Sequence, residues 1–152
     1  MTFDLKTTPS VRAASEAGYT FELKSPPDDA PTGVFITVRG PESEALRALL
    51  GRQVQREASR EVIAKKRGRE PEPRSIEDRE AEFIELAVAA TLDWSGFADD
   101  GRPLPCTADN AARVYADHSW IRAQVVREAL ELGNFVRSSS ASSASTRAPN
   151  SP

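Results

Sequence analysis

LDWSGFADDGRPLPCTADNAARVYADHSWIRAQVVREALELGNF, residues 92–135, joins a turn and a Pro-rich run to two helix-forming segments. It holds both tryptophans, the single cysteine and the single histidine. Asp99-Asp100-Gly101 is a turn signal, with Gly101 suited to positive φ. Pro103-Leu104-Pro105-Cys106 reads as extended, because residues before proline avoid the helical region. Thr107 is a good N-cap, with Asp109 in the first turn behind it. Ala111, Ala112, Val114 and Tyr115 give a short helix over 107–116 its apolar side. Ile121, Val125, Val126, Ala129, Leu130 and Leu132 do the same for a helix over 119–132. Gly133 is its stop, and Asn134-Phe135 can dock back on the last turn. An aromatic anchor, a tight turn and two amphipathic helices build a packed fold. They do not by themselves build a catalytic centre.

Upstream, residues 19–24 alternate apolar and polar, the period of a half-buried strand. Residues 34–39 are β-branched and aromatic and predict a second strand. The breaker-rich 25–33 between them makes an antiparallel hairpin with a long loop. Two strands alone are marginal in water. The hairpin must therefore pack on helices, pair with another copy, or add to a partner's sheet.

Gly40-Pro41 then predicts a helix over 41–67, with Pro41 in the first helical position and a stop near Gly68. Its apolar stripe is Leu46, Leu49, Leu50, Val54, Ala58, Val62 and Ile63. Arg47 to Arg69 make much of the rest basic. A Pro-rich linker, 70–74, leads to a helix over 75–92 with Ser75 as cap and an acidic outer face. The two helices should lie antiparallel with opposite charges facing. Such exposed pairs contribute only about 0–1 kcal/mol each and set orientation more than stability.

These elements predict an α+β, mostly helical fold. Its parts are a loose N-terminus over 1–18, a hairpin over 19–40, a four-helix unit over 41–136 and a disordered Ser-rich tail over 137–152. The 152 residues suit one small domain, and the net charge of −3 makes nucleic acid an unlikely partner. A single cysteine fits a reducing compartment. No signal peptide or membrane-length apolar run is expected, so the predicted location is cytoplasmic, with no membrane partner.

The reactive residues read better as structure. His118 has no evident partner and sits between two helices. Cys106 precedes a helix N-terminus but reads as a small buried hydrophobe. Asp99 and Asp100 lack the remaining ligands of a calcium loop. Trp94-Ser95-Gly96 is not a nucleophile elbow, and no Gly-rich phosphate loop occurs. No enzyme, cofactor or metal is therefore expected. Trp94 reads equally as core anchor or interface hot spot, and Trp120 as core.

The order Leu92-x-Trp94-x-Gly96, Asp100-Gly101-x-Pro103-Leu104-Pro105-Cys106-Thr107, Asn110-Ala111, Trp120-Ile121-x-x-Gln124-Val125 and Asn134-Phe135 resembles the C-terminal half of tail assembly chaperones of long-tailed, siphovirus-like phages and prophages. The resemblance covers about a third of the chain and carries no catalytic residue. It implies a non-enzymatic protein of the host cytoplasm, missing from the finished virion. Such a protein holds the tape-measure protein in solution and helps recruit the major tail protein. Phe83, Ile84, Trp94, Phe97, Trp120, Val125, Leu132 and Phe135 are the candidate partner contacts, and self-association is a further expectation. A structural virion protein for tail completion or head–tail joining is the alternative. A small nucleic-acid-binding regulator using the helix over Arg47 to Arg69 comes after it.

Overall fold

The computed structural model describes residues 2–141, with side chains described to residue 136. The chain adopts the expected α+β, mostly helical class. In order the main elements are α1 (Val11–Ala17), β1 (Tyr19–Ser25), β2 (Ala30–Val38), α2 (Glu44–Lys66), α3 (Ile76–Ala90) and β3 (Thr91–Ser95). The short strands β4 (Ala98–Asp99) and β5 (Arg102–Pro103) follow, then α4 (Ala108–Asp117), α5 (Ser119–Leu130) and α6 (Leu132–Ala141). Among the described residues, no helix is long and apolar enough to cross a membrane.

The hairpin is not alone. β3 adds to β2 in an antiparallel sheet of order β1-β2-β3. Residues 91 and 92, expected as the end of the helix over 75–92, are therefore strand. Tyr19 faces Val38, Phe21 faces Ile36, and Ile36 faces Trp94 across the sheet. Phe21, Leu23, Val34, Ile36, Val38 and Trp94 are all buried. The other face carries Thr20, Glu22, Thr37 and Asp93, with a half-exposed Phe35 among them. This is the inward–outward alternation of an antiparallel sheet with one covered face. The cover is α5, through Ile121, Val125 and Ala129, together with Leu86, Ala87 and Ala90 of α3. Because β3 comes from beyond residue 41, hairpin and helices share one core.

The expected loose N-terminus holds α1. Ser10 caps it by accepting from the Ala13 N–H at 3.2 Å, and Ala14 and Ser15 are buried. At the other end, Gly133 does not close α5. The chain breaks at Glu131 and enters α6, whose Phe135 is fully buried beside Tyr19 and Gly40. α6 also covers the first residues of the segment expected as tail, and residues 142–152 lie outside the described ones. Pro41 precedes α2 instead of opening it. Ser43 is the cap and accepts from the Leu46 N–H at 3.4 Å.

Only the start of the predicted α2 stripe is core. Leu46 and Leu49 are buried, but Val54, Val62 and Ile63 are 70%, 52% and 51% exposed. Residues nine apart lie on opposite sides of a helix, so Val54 and Ile63 cannot share a face. The covered line runs instead through Leu46, Leu49, Gln53, Glu57, Arg60 and Ala64, polar in its second half. There the antiparallel charge pairing with α3 holds. Arg56 meets Glu85 at 3.1 Å, and Arg74 from the linker binds Glu57 at 3.7 Å and also Glu82.

Two places fix the chain tightly. Asp100 and Gly101, with φ of 50° and 75°, are the central residues between paired Asp99 and Arg102. This is the mirror-image turn that suits the twist of a two-residue hairpin. At Gly40, an added Cβ would stand 2.5 Å from Ser15 Oγ and 2.8 Å from the Phe135 ring. Gly40→Ala should therefore push α1 and α6 off the sheet. Thermal denaturation should show a loss of about 1–3 kcal/mol, the range for overpacking a core.

Tyr115 is fully buried, and its hydroxyl lies 2.5 Å from Thr91 Oγ1. Thr91 gives its only proton to the Ala87 carbonyl at 2.8 Å, so Tyr115 is the donor to Thr91. Burial pushes the phenol well above its ordinary value. Below pH of about 10 the phenol is protonated in both states; above it the unfolded chain loses this proton first. Stability should therefore fall as pH rises past about 10, and Tyr115→Phe should weaken that fall in pH-dependent melts.

Candidate partner-binding groove

No group of three or more His, Cys, Asp and Glu able to hold a metal occurs among the described residues. His118 is exposed at the α4–α5 junction, where its backbone serves both helices. Cys106 is half-buried, and its thiol is pushed up by burial and by the Asp93 carboxylate, against the reactive direction. Asp99 is held by Arg113 at 2.9 Å. The remaining candidates are apolar side chains.

The eight candidate contacts divide by helix geometry. Val125 points to the sheet and is fully buried, as is Phe135 on α6. Trp94 is 8% exposed, donates its indole N–H to the Leu104 carbonyl at 2.8 Å, and meets Phe97 and Tyr115 edge-on. It is a core anchor that pins the Pro-rich run. Phe97 and Ile84 are half-buried against that core. These five serve packing in the isolated chain and offer little to a partner. Leu132 is exposed at the start of α6, 48% open.

Phe83 and Trp120 are the two that come together. They line an open groove of about 560 Å³ between α3 and α5, with Ser119, Ala123 and Val126. Arg122 and Arg127 complete its lining. Phe83 is 52% exposed although it lies on a helix packed on both sides. A second cleft between α2 and α3 is lined by Phe83, Leu86 and Gln53, so the Phe83 ring separates two depressions. Along α5, Trp120, Ala123, Arg127 and Leu130 recur at helical spacing. Leu130, 42% exposed, extends this row beyond the groove. The ten residue steps from Trp120 to Leu130 span about 15 Å, or nearly three turns of a docked helix.

The sequence reading missed Ala123, Val126 and the two arginines. For Ala123 and Arg127 a signal was present as the i, i+3, i+7, i+10 spacing that runs from Trp120 to Leu130, on the side of α5 away from Ile121 and Val125. Arg122 is largely buried. It donates to the Tyr115 carbonyl at 2.8 Å and pairs with Glu80 at 3.3 Å, tying α4, α5 and α3 together at one end of the groove. Gln124, two residues on and on the other side of α5, grips the edge of β1. Its Oε1 accepts from the Lys24 N–H at 3.0 Å, and its Nε2 donates to the Lys24 carbonyl at 2.7 Å. The walls of the groove are thus fixed by the core beneath them.

Comparison with known protein families, with curated proteins and with solved structures gives no match.

Trp94 and Phe83 should separate under mutation. Trp94→Ala should cost about 3–5 kcal/mol, as for any buried large aromatic. Phe83→Ser should cost only about 1 kcal/mol, because half of the ring is already in water. Chemical denaturation of both variants checks the contrast.

Proposed function

We propose that this protein is a non-enzymatic assembly chaperone of a long-tailed phage, holding an apolar helical partner of the tape-measure type in solution. The single observation that carries this is the groove between α3 and α5, where a half-exposed Phe83 stands beside Trp120, itself partly buried against the core. Rigid walls with exposed aromatic and aliphatic side chains are what helix-in-groove recognition needs. The pattern of residues 92–135 supports the phage assignment. In that reading the Trp94 and Pro103-to-Cys106 elements are the scaffold, and Trp120 and its neighbours on α5 are the contact. A partner helix left alone would expose an apolar stripe and aggregate.

Co-expression tests this directly. A tape-measure protein of a long-tailed phage, insoluble alone, should move to the soluble fraction with this chain. Trp120→Ser and Phe83→Ser should lose that effect while keeping the fold by circular dichroism. Removing the Ser-rich residues 142–152 should leave it intact. A partner equally soluble without this chain, or this chain found stoichiometrically in purified particles, defeats the chaperone reading and favours a structural virion protein.

A further inference from the structure

Resting on the groove as the partner site, we infer the charge pattern of its occupant: an amphipathic helix whose apolar stripe is flanked by carboxylates and not by basic side chains. The groove is lined by two arginines and no acidic residue. Arg127 is 68% exposed and has only a 3.5 Å pair with its chain neighbour Glu128. Arg79 stands one turn before Phe83 on the same face of α3 and lines the adjoining cleft. Its side chain makes no hydrogen bond or ion pair among the described residues. The acidic residues nearby are already engaged. Glu80 pairs with Arg122, Glu82 with Arg74, Glu57 with Arg60 and Arg74, and Glu85 with Arg56, four carboxylates against four arginines.

The chain as a whole is negative, at −3. The groove beside Phe83 is nevertheless lined by positive charge alone, and in the adjoining cleft Arg79 is the cation with no ion pair among the described residues. Charges at the rim of an apolar contact select partners and orient them more than they add affinity. A helix with Glu or Asp beside its apolar anchors meets Arg79 and Arg127, and a Lys-flanked helix meets repulsion there.

The test uses the full chain and two labelled synthetic helices of about 18 residues, long enough to overreach the groove. Both carry one leucine stripe; one is flanked by Glu and the other by Lys. Fluorescence anisotropy should show the Glu-flanked helix binding about tenfold tighter at low salt. The difference should shrink at about 0.5 M salt, where exposed charges are screened. The double variant Arg79→Glu, Arg127→Glu should reverse the preference, and Phe83→Ser should weaken both helices. Equal binding, or tighter binding of the Lys-flanked helix, overturns the inferred charge pattern while leaving the groove in place if Phe83→Ser still weakens both. No binding of either helix overturns the charge pattern and the groove together. A short labelled DNA duplex serves as control. Duplex binding that the arginine variant abolishes would assign these arginines to nucleic acid and overturn the inference.

Discussion

The pairing of β3 with β2 is the constraint on which the rest depends. Ile36 faces Trp94 only if the whole α2–α3 excursion folds back and returns the chain to the sheet. That return places the C-terminal end of α3 directly beside the end of β2. There the Arg39 backbone N–H donates to the Ala90 carbonyl at 2.8 Å, and its guanidinium donates to the Ala89 carbonyl at 2.5 Å. Helix carbonyls that would otherwise lack partners are satisfied by a cation at the negative end of the helix. Thr91, the residue at the change from helix to strand, then receives the Tyr115 hydroxyl and draws α4 onto the same point. Trp94, three residues on, fixes the loop that leads to α4. Once these contacts are made, α5 has one place to lie, across the apolar face of the sheet.

Much of this was legible because it is local. The alternation of residues 19–24, the capping serine at 75, the threonine at 107 and the Asp-Gly turn each depend on a few neighbours in sequence. What escaped was decided at long range. Residues 91–95 are too few to signal a strand against the strong helix before them, and only pairing with β2 makes them one. Residues 11–17 are too short to be a stable helix alone. They fold because Ala14 and Ser15 are covered, with the Phe135 ring beside Gly40. Val54, Val62 and Ile63 were assigned to a single stripe, although their angular positions spread around α2. The site followed the same logic. Aromatic residues were chosen as contacts without knowing which side of each helix the sheet would claim, and the sheet claimed that of Val125.

The fold also manages its own edges. β1 is an edge strand, and edges invite unwanted pairing. Gln124 occupies part of this one with a side-chain amide that imitates a neighbouring strand's peptide group. The other edge of the three-stranded sheet is β3. Two of the exposed apolar surfaces bear on the holding of a helix: the groove around Phe83, and the exposed Val54 and Val62 of α2. The first is concave, aromatic and built on buried neighbours. The second is a convex helix face with Val54 and Val62 standing among polar residues. Concavity with fixed walls favours the first as the place where a helix is held.

Site-specific photocrosslinking inside the co-expressed complex distinguishes these surfaces most directly. A benzophenone amino acid placed at position 83 should crosslink to an apolar helical segment of the tape-measure-type partner. The same group at position 62 should give little or no product. Crosslinks from position 62 with none from position 83 would contradict the central claim, and would move the partner from the α3–α5 groove to the outer face of α2.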